Sequence, residues 1–324
     1  MRRTTWGLSA LALAGCAAQS VRYVRVTPPS AQAISLLGDT LWNLPVDPQR
    51  GPALVRQLQE ARTDSANRPT HVNTQLQLAR RTEAMGRLRE AIGLYTSILE
   101  LSPLDERVYR RRGELLIRIR ELDLAVQDLR TATRLTLQSP NPNQAEFDIL
   151  PGGQGIVQST LLYNTFFHLG MALYFRGDFR GARETYREAV RRASNADELA
   201  QTVFWLFCAT RRLGLREEAR QIVLDVAPGM PVVLAEPEYQ LIRAYRGEIT
   251  QDSLPVDGTE AITTADEAMY AYGIGFALLM LDRTEEASLL FGRVRAISDW
   301  SSYAYLAAEA ELARLQAIRR APRS

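Results

Sequence analysis

The sequence predicts an all-α fold, a solenoid of helical hairpins, and three observations carry that expectation. Alanine recurs as Ala91, Ala125, Ala182, Ala219 and Ala287, at separations of 34, 57, 37 and 68 residues; 68 is two periods, and 57 is one period plus a 23-residue insertion. Upstream of each alanine, at a constant offset, stands Ala79, Gly113, Gly170, Phe207 or Gly275, so four of these five units keep a small residue there. Gly86, Gly177 and Gly214 fall between the two helical stretches of their units, where a left-handed residue closes one helix before the next begins.

The elements follow in chain order. Arg2 and Arg3 precede an uncharged stretch from Thr4 to Ser20. Its apolar part, about ten residues, is too short for a bilayer span and suits a secretory signal peptide. It ends Leu13-Ala14-Gly15-Cys16, which resembles a bacterial lipobox. That resemblance implies cleavage after residue 15 and acylation of Cys16, which becomes the mature N-terminus. The plainer alternative is ordinary cleavage beside Ala17-Ala18. Arg2-Arg3 is read as a basic leader and not a twin-arginine signal, because Thr4-Thr5-Trp6 does not continue that pattern. Ala17, where an Asp commonly retains lipoproteins at the inner membrane, implies by the same resemblance an outer-membrane, periplasm-facing location. Two or three acyl chains anchor far more firmly than one. Residues 16–30, with Pro28-Pro29, read as a tether, and 31–71 as an N-terminal helical cap of one or two helices split by Pro45, Pro48 and Pro52.

Residues 72–139 hold repeats one and two, 163–233 repeats three and four, and 268–299 a further repeat. The unit at 234–267 keeps a first helix from Glu236 to Gly247, but Pro255 and Gly258 interrupt the second. Trp300 to Ile318, within a final segment 300–319, reads as an amphipathic helix that caps the open end. Ala91, Tyr95 and Pro103 match the second helix of a tetratricopeptide (TPR) repeat, and Ala79 and Ala91 occupy its small positions. The column Tyr95, Leu129, Tyr186, Val223 and Phe291 occupies its bulky position 24. The chain thus resembles a TPR α-solenoid of about five clear and one degenerate hairpins. The plan of lipobox, degenerate repeats and closing helix is similar to bacterial TPR lipoproteins of the NlpI type. That resemblance implies a periplasmic scaffold, understood in the family as bringing peptidoglycan hydrolases together with a protease. Its partners do not transfer residue by residue.

Composition narrows the chemistry. The 324 residues include 39 basic ones, all Arg, with only His71 and His168 and only Cys16 and Cys208. Without Lys there is no P-loop, Schiff-base or pyridoxal chemistry. So few His and Cys leave a zinc site unfilled, and no cofactor is expected. After signal removal 37 Arg face 37 acidic residues, which does not suggest nucleic acid. Charge is nevertheless uneven: residues 106–139 carry eight Arg and five acids, and 236–267 eight acids and two Arg. That pattern suits steering of a partner, and equally arises on solvated helices.

By the TPR resemblance, positions 2, 5, 9 and 12 of each first helix line the concave face. The first two repeats place Asn73, Arg80, Glu83, Arg107, Arg110 and Glu114 there, an Arg-bearing end suited to carboxylates. Later repeats place Asn164, Phe167, Met171, Tyr174, Phe204, Arg211, Met269, Tyr272 and Phe276, an aromatic end. A groove of this kind suits an extended or helical peptide; a register error of one position would instead make the aromatics core. The TPR carboxylate clamp is not inherited, since Leu76 and Arg80 stand at its first-repeat positions.

Other features read as structural. His168 and Cys208 fall on neighbouring first helices, but no third group orients them as a catalytic pair. Pro151-Gly-Gly-Gln-Gly155 lacks the Lys of a phosphate loop and reads as a flexible loop. The uncharged run Ala268 to Leu281, 14 residues, is short of a membrane span and reads as a buried helix. The insertion 140–162, with Phe147, Ile149 and Leu150, is either a lid or docking element over the groove or a long surface loop. The expected function is a non-enzymatic, lipid-anchored periplasmic adaptor that binds peptide segments of envelope proteins. The alternatives are a small-ligand or glycan receptor using the aromatic end, and an enzyme.

Overall fold

The computed structural model describes residues 31–44, 46, 48–149, 156–250, 253–255 and 261–320. The signal peptide, Cys16, the tether and the Pro151 to Gly155 run lie outside the described residues. Paired helices follow the predicted periods: α2 (Val72–Ala84) with α3 (Leu88–Leu101), α4 (Glu106–Arg118) with α5 (Leu122–Gln138), and α6 (Leu161–Arg176) with α7 (Phe179–Val190). Then come α8 (Ala196–Arg212) with α9 (Arg216–Leu224), a lone α10 (Glu236–Tyr245), α11 (Ala265–Met280) with α12 (Thr284–Val294), and a final α13 (Tyr303–Arg320). The architecture is an all-α TPR-like solenoid.

Close helix crossing explains the repeat. All five recurrent alanines are fully buried, as are Tyr95, Leu129, Tyr186 and Phe291 at the bulky position. A Cβ placed on Gly113 would lie 2.6 Å from Leu129 Cγ, one on Gly170 2.5 Å from the Tyr186 ring, and one on Gly275 2.7 Å from the Phe291 ring. The small residue on the first helix is therefore the socket for the large one on the second, at spacings no side chain tolerates. Phe207, the one large residue in the small column, belongs to the unit whose bulky position is only Val223.

Gly86, Gly177 and Gly214 take positive φ of 71°, 91° and 76° at their interhelical turns. At the equivalent turns of the second and last repeats the left-handed residues are Arg120 (φ 67°) and Asp282 (φ 62°), where side-chain residues are disfavoured.

The N-terminal end differs from the expected helical cap. The segment 31–71 is not wholly helical: a short antiparallel pair, β1 (Ala33–Ile34) and β2 (Thr40–Leu41), precedes a single helix α1 (Gly51–Asn67). Pro52 does not split a helix but sits in the first turn of α1, where a missing N–H costs nothing. The insertion is a β-hairpin, with β3 (Ala145–Ile149) antiparallel to β4 (Ile156–Thr160) and Ala145 opposite Thr160.

The final helix packs chiefly on the last repeat, α11 and α12, as the expected cap, and it is buried more deeply than a surface cap. Ala304 to Glu311, eight consecutive residues, are all buried. An amphipathic surface helix buries one stripe, so an unbroken buried run means that protein surrounds α13 at every azimuth. It packs against α11, α12 and α6, inside the curve of the solenoid. Strand β1's neighbourhood completes the enclosure: Gln32 accepts a hydrogen bond from the Arg89 backbone N–H at the start of α3, while Trp300 Nε1 donates to the Trp42 carbonyl at 3.0 Å.

Gly170→Ala should therefore destabilise the fold by about 1 to 3 kcal/mol. Gly93, mid-helix in α3 with open space around its would-be Cβ, should gain about 0.5 to 1 kcal/mol on the same change. Urea melts of the two variants compare them, and equal stabilisation of both would contradict the socket.

Candidate functional site

The concave face is formed by α2, α4, α6, α8 and α11, and the predicted lining residues divide sharply by accessibility. Asn73 is exposed, and Arg80 and Arg107 are half-buried. Asp105 caps α4 and grips the Arg107 guanidinium at 2.6 and 2.9 Å, and Arg107 reaches Asn73 at 3.5 Å. Arg211 is half-buried, its guanidinium pKa drawn down by desolvation. These four remain on or near the surface.

Of the others, Asn164 and Glu83 are half-buried and the rest form interior. Phe167, Met171, Tyr174, Phe204, Tyr272 and Phe276 are all buried, and Met269 is 9% exposed. The expectation of an open aromatic groove is corrected here: these rings pack on one another, with Phe167 and Tyr174 also meeting α13, and Trp205 joins them, stacked on Tyr272 at 5.5 Å and edge-on to Tyr174 at 5.4 Å. No ring face of this set is open for a sugar to stack on. The cause is the one-position ambiguity between groove and core, resolved toward core because the chain supplies its own helix to fill the groove.

Two sets of polar contacts flank α13. One is a buried charge cluster between α4, α6 and β3. Arg110, 1% exposed, donates to Glu114 at 2.7 Å and to Glu146 of β3 at 2.5 Å, and Asn164 donates to the other Glu146 oxygen at 2.7 Å. Arg118 closes on Glu114 at 2.9 Å, and His168 Nε2 stands 3.9 Å from it. The hairpin thus reaches into the groove through Glu146, and is anchored again where Ser159 donates to Glu198 at 2.5 Å. Burial alone would raise Glu114, but His168, Arg118, Arg110 and Arg111 around it hold its carboxyl well below the usual range. Burial likewise opposes Glu146 ionisation and is outweighed by Arg110 and Arg111, whereas it raises Glu83, whose neighbour Glu114 adds repulsion. His168 is pushed down by desolvation, and its Nδ1 meets the Asn164 carbonyl at 2.6 Å.

Along α13 itself, two glutamates with fully buried side chains are seated in receptors built by the solenoid. Glu309 accepts from Arg120 Nε at 3.1 Å, from Arg120 Nη2 at 2.9 Å and from the Leu36 backbone N–H at 2.7 Å. Glu311 accepts from the Tyr174 hydroxyl at 3.2 Å, itself 2.9 Å from that of Tyr272, with Arg212 at 3.3 Å and Arg314 of its own helix at 2.9 Å. Arg314 also donates to the Tyr174 and Phe175 carbonyls at the C-terminal end of α6, where positive charge is favoured.

Sequence reasoning missed Arg120, Arg212, Glu309, Glu311 and Trp205. A signal was present: Arg120 stands where three other units carry a turn glycine, and Glu309 and Glu311, two apart on a helix, point to different sides and cannot both face solvent if the helix packs at all.

Cys208 and His168 do not form a nucleophilic pair. Burial pushes the Cys208 thiol up, favouring the un-ionised form, and His168 is engaged with Asn164 and Glu114. Among the described residues no group of three His, Cys, Asp or Glu is placed to hold a metal ion, and no helix is long and apolar enough to cross a membrane. The run Ala268 to Leu281 is the buried α11 and its C-cap, with Gly273 packed on Leu241 and Gly275 on Phe291.

No protein-family model matches the sequence, and no curated protein matches it significantly. Solved structures similar in fold include a tetratricopeptide repeat protein from Parabacteroides merdae, 14% identical over 82% of this chain and 94% of that one, with a TM-score of 0.49. MamA is 14% identical over 64% of this chain and 92% of its own, with a TM-score of 0.43, and YrrB, described as a TPR protein with an unusual peptide-binding site, is 13% identical over 72% and 90%, with a TM-score of 0.42.

In the acidic segment 236–267, one carboxyl among the described residues is pushed upward. Desolvation, aided by Asp266 and Asp197, raises Glu238 on α10 to about 7. A carboxyl whose folded pKa lies above its unfolded value favours folding below the unfolded value, and that advantage disappears as pH rises through about 7. Glu238→Gln should accordingly stabilise the protein by about 2 kcal/mol at pH 8 and change it little at acid pH, read from melts across the range. A pH-independent difference would contradict the burial of this carboxyl.

Proposed function

We propose that this chain is a non-enzymatic, lipid-anchored scaffold of the bacterial cell envelope that holds a helical segment of a partner protein in its concave channel. The observation that carries this reading is the seating of α13: the inner face of the solenoid accommodates a helix, with paired receptors for its carboxylates. A channel that accepts one helix by side-chain chemistry and small-residue contact is a recognition surface, whereas no residue set described above assembles a nucleophile, a base and an orienting group. The half-buried Arg80 and Arg107 beside exposed Asn73 offer a polar entrance at the first repeat.

The anchor is supported by sequence: a basic leader, a short apolar stretch and Leu13-Ala14-Gly15-Cys16, with Ala17 in the position associated with outer-membrane sorting. Glycan recognition has less support, because the rings that would stack on a sugar are buried.

Crosslinking in native membranes, followed by pull-down, tests the scaffold: recovery of a protein crosslinked to channel or entrance residues supports it, and recovery of none contradicts it. Cys16→Ser should move the protein from the membrane fraction to a soluble or unprocessed form. Mass spectrometry of the wild-type mature N-terminus should find an acylated Cys16, and an unmodified N-terminus beginning after Ala18 would contradict the anchor.

A further inference from the structure

We propose that α13 is a displaceable internal ligand, and that the partner which replaces it is an alanine-rich helix of another protein carrying two carboxylates spaced like Glu309 and Glu311. This rests on the reading of the channel as a helix-holding site and names the chemistry of what enters it.

The channel's specificity is written in two receptors. The first is the Arg120 fork with the Leu36 N–H, three donors converging on one carboxylate at 2.7 to 3.1 Å. The second is the Tyr174 hydroxyl with Arg212. On α13 itself Ala304, Ala307, Ala308 and Ala310 are all buried, small residues that let the helix approach the channel closely. Any helix with small residues and two carboxylates at this spacing satisfies the same donors.

Exchange is also favoured by how α13 is held. Buried ion pairs confer specificity more than net stability, because desolvation offsets their attraction. A helix that supplies equivalent carboxylates keeps Arg120 and Arg212 paired as it replaces α13, whereas a helix without them leaves both stranded. The helix follows α12, pairs with no strand among the described residues, and passes from buried at Glu311 to exposed from Gln316 to Arg320, with Ile318 69% exposed. That exposed end is where displacement begins.

The probe is a fluorescent peptide of residues 303–320 added to the full-length chain. The peptide should bind wild-type protein, bind the Glu309→Gln, Glu311→Gln full-length variant about tenfold more tightly because the resident helix is weakened, and lose about tenfold in affinity when it carries those two substitutions itself. No binding to either chain, or binding indifferent to the carboxylates, overturns the proposal. Should the variant fail to fold, hydrogen exchange on the wild type decides. Amides of 304–311 should be at least about tenfold less protected than those of 166–174, and equal protection makes α13 permanent core and overturns it. A crosslinked partner that the peptide does not displace also overturns this inference while leaving the scaffold standing; peptide exchange with no partner recovered supports the inference and contradicts the scaffold.

Discussion

Arg120 occupies the left-handed backbone region at the turn between α4 and α5, a conformation that three equivalent turns assign to glycine. Holding a side-chain residue there costs on the order of 1 kcal/mol. The return on that strain is the buried ion pair: from this position the guanidinium reaches Glu309 by both Nε and Nη2 and the Trp300 carbonyl by Nη2 at 2.8 Å. One turn of the second repeat is thereby fixed to the last helix, 189 residues away in sequence.

The rest of the interior follows from that attachment. With Glu309 held, α13 lies along α6, its Tyr303 near the His168 and Phe175 rings and its Arg314 over the end of α6. The aromatic side chains of α6 meet this helix, and those of α8 and α11 pack on them and on one another as core. The same Glu309 carboxylate accepts the Leu36 N–H, so the N-terminal strands are drawn onto α13, and Arg295 pairs with Asp39 beside them. On the opposite rim Arg110 performs the parallel task for the β-hairpin through Glu146. A guanidinium left buried without its carboxylate costs far more than the pair itself contributes, so each plug is specified by charge as well as by shape.

Much of the solenoid was legible in the sequence because helix crossing is a local constraint repeated in register: Ala91, Ala125 and Ala182 are small for the same geometric reason, and a repeat multiplies the signal. The degenerate unit at α10 and the burial of the α11 run were readable on the same terms. The accessibility of the concave face was not, because it depends on where a single distant helix goes. Tyr174 on a first helix looks the same whether the groove is open or filled, and only pairing with Glu311 distinguishes the two. The short N-terminal strands escaped notice for a related reason, since Ala33 and Leu41 carry too few residues to show a two-residue period.

A double-mutant cycle on Arg120 and Glu309 tests the central claim most directly. With Arg120→Met, Glu309→Gln and the double variant compared by denaturant unfolding, the account predicts that each single change destabilises strongly and that the pair couples by about 2 kcal/mol or more. Additive effects, with coupling below about 0.5 kcal/mol, would contradict the placement of α13 inside the solenoid.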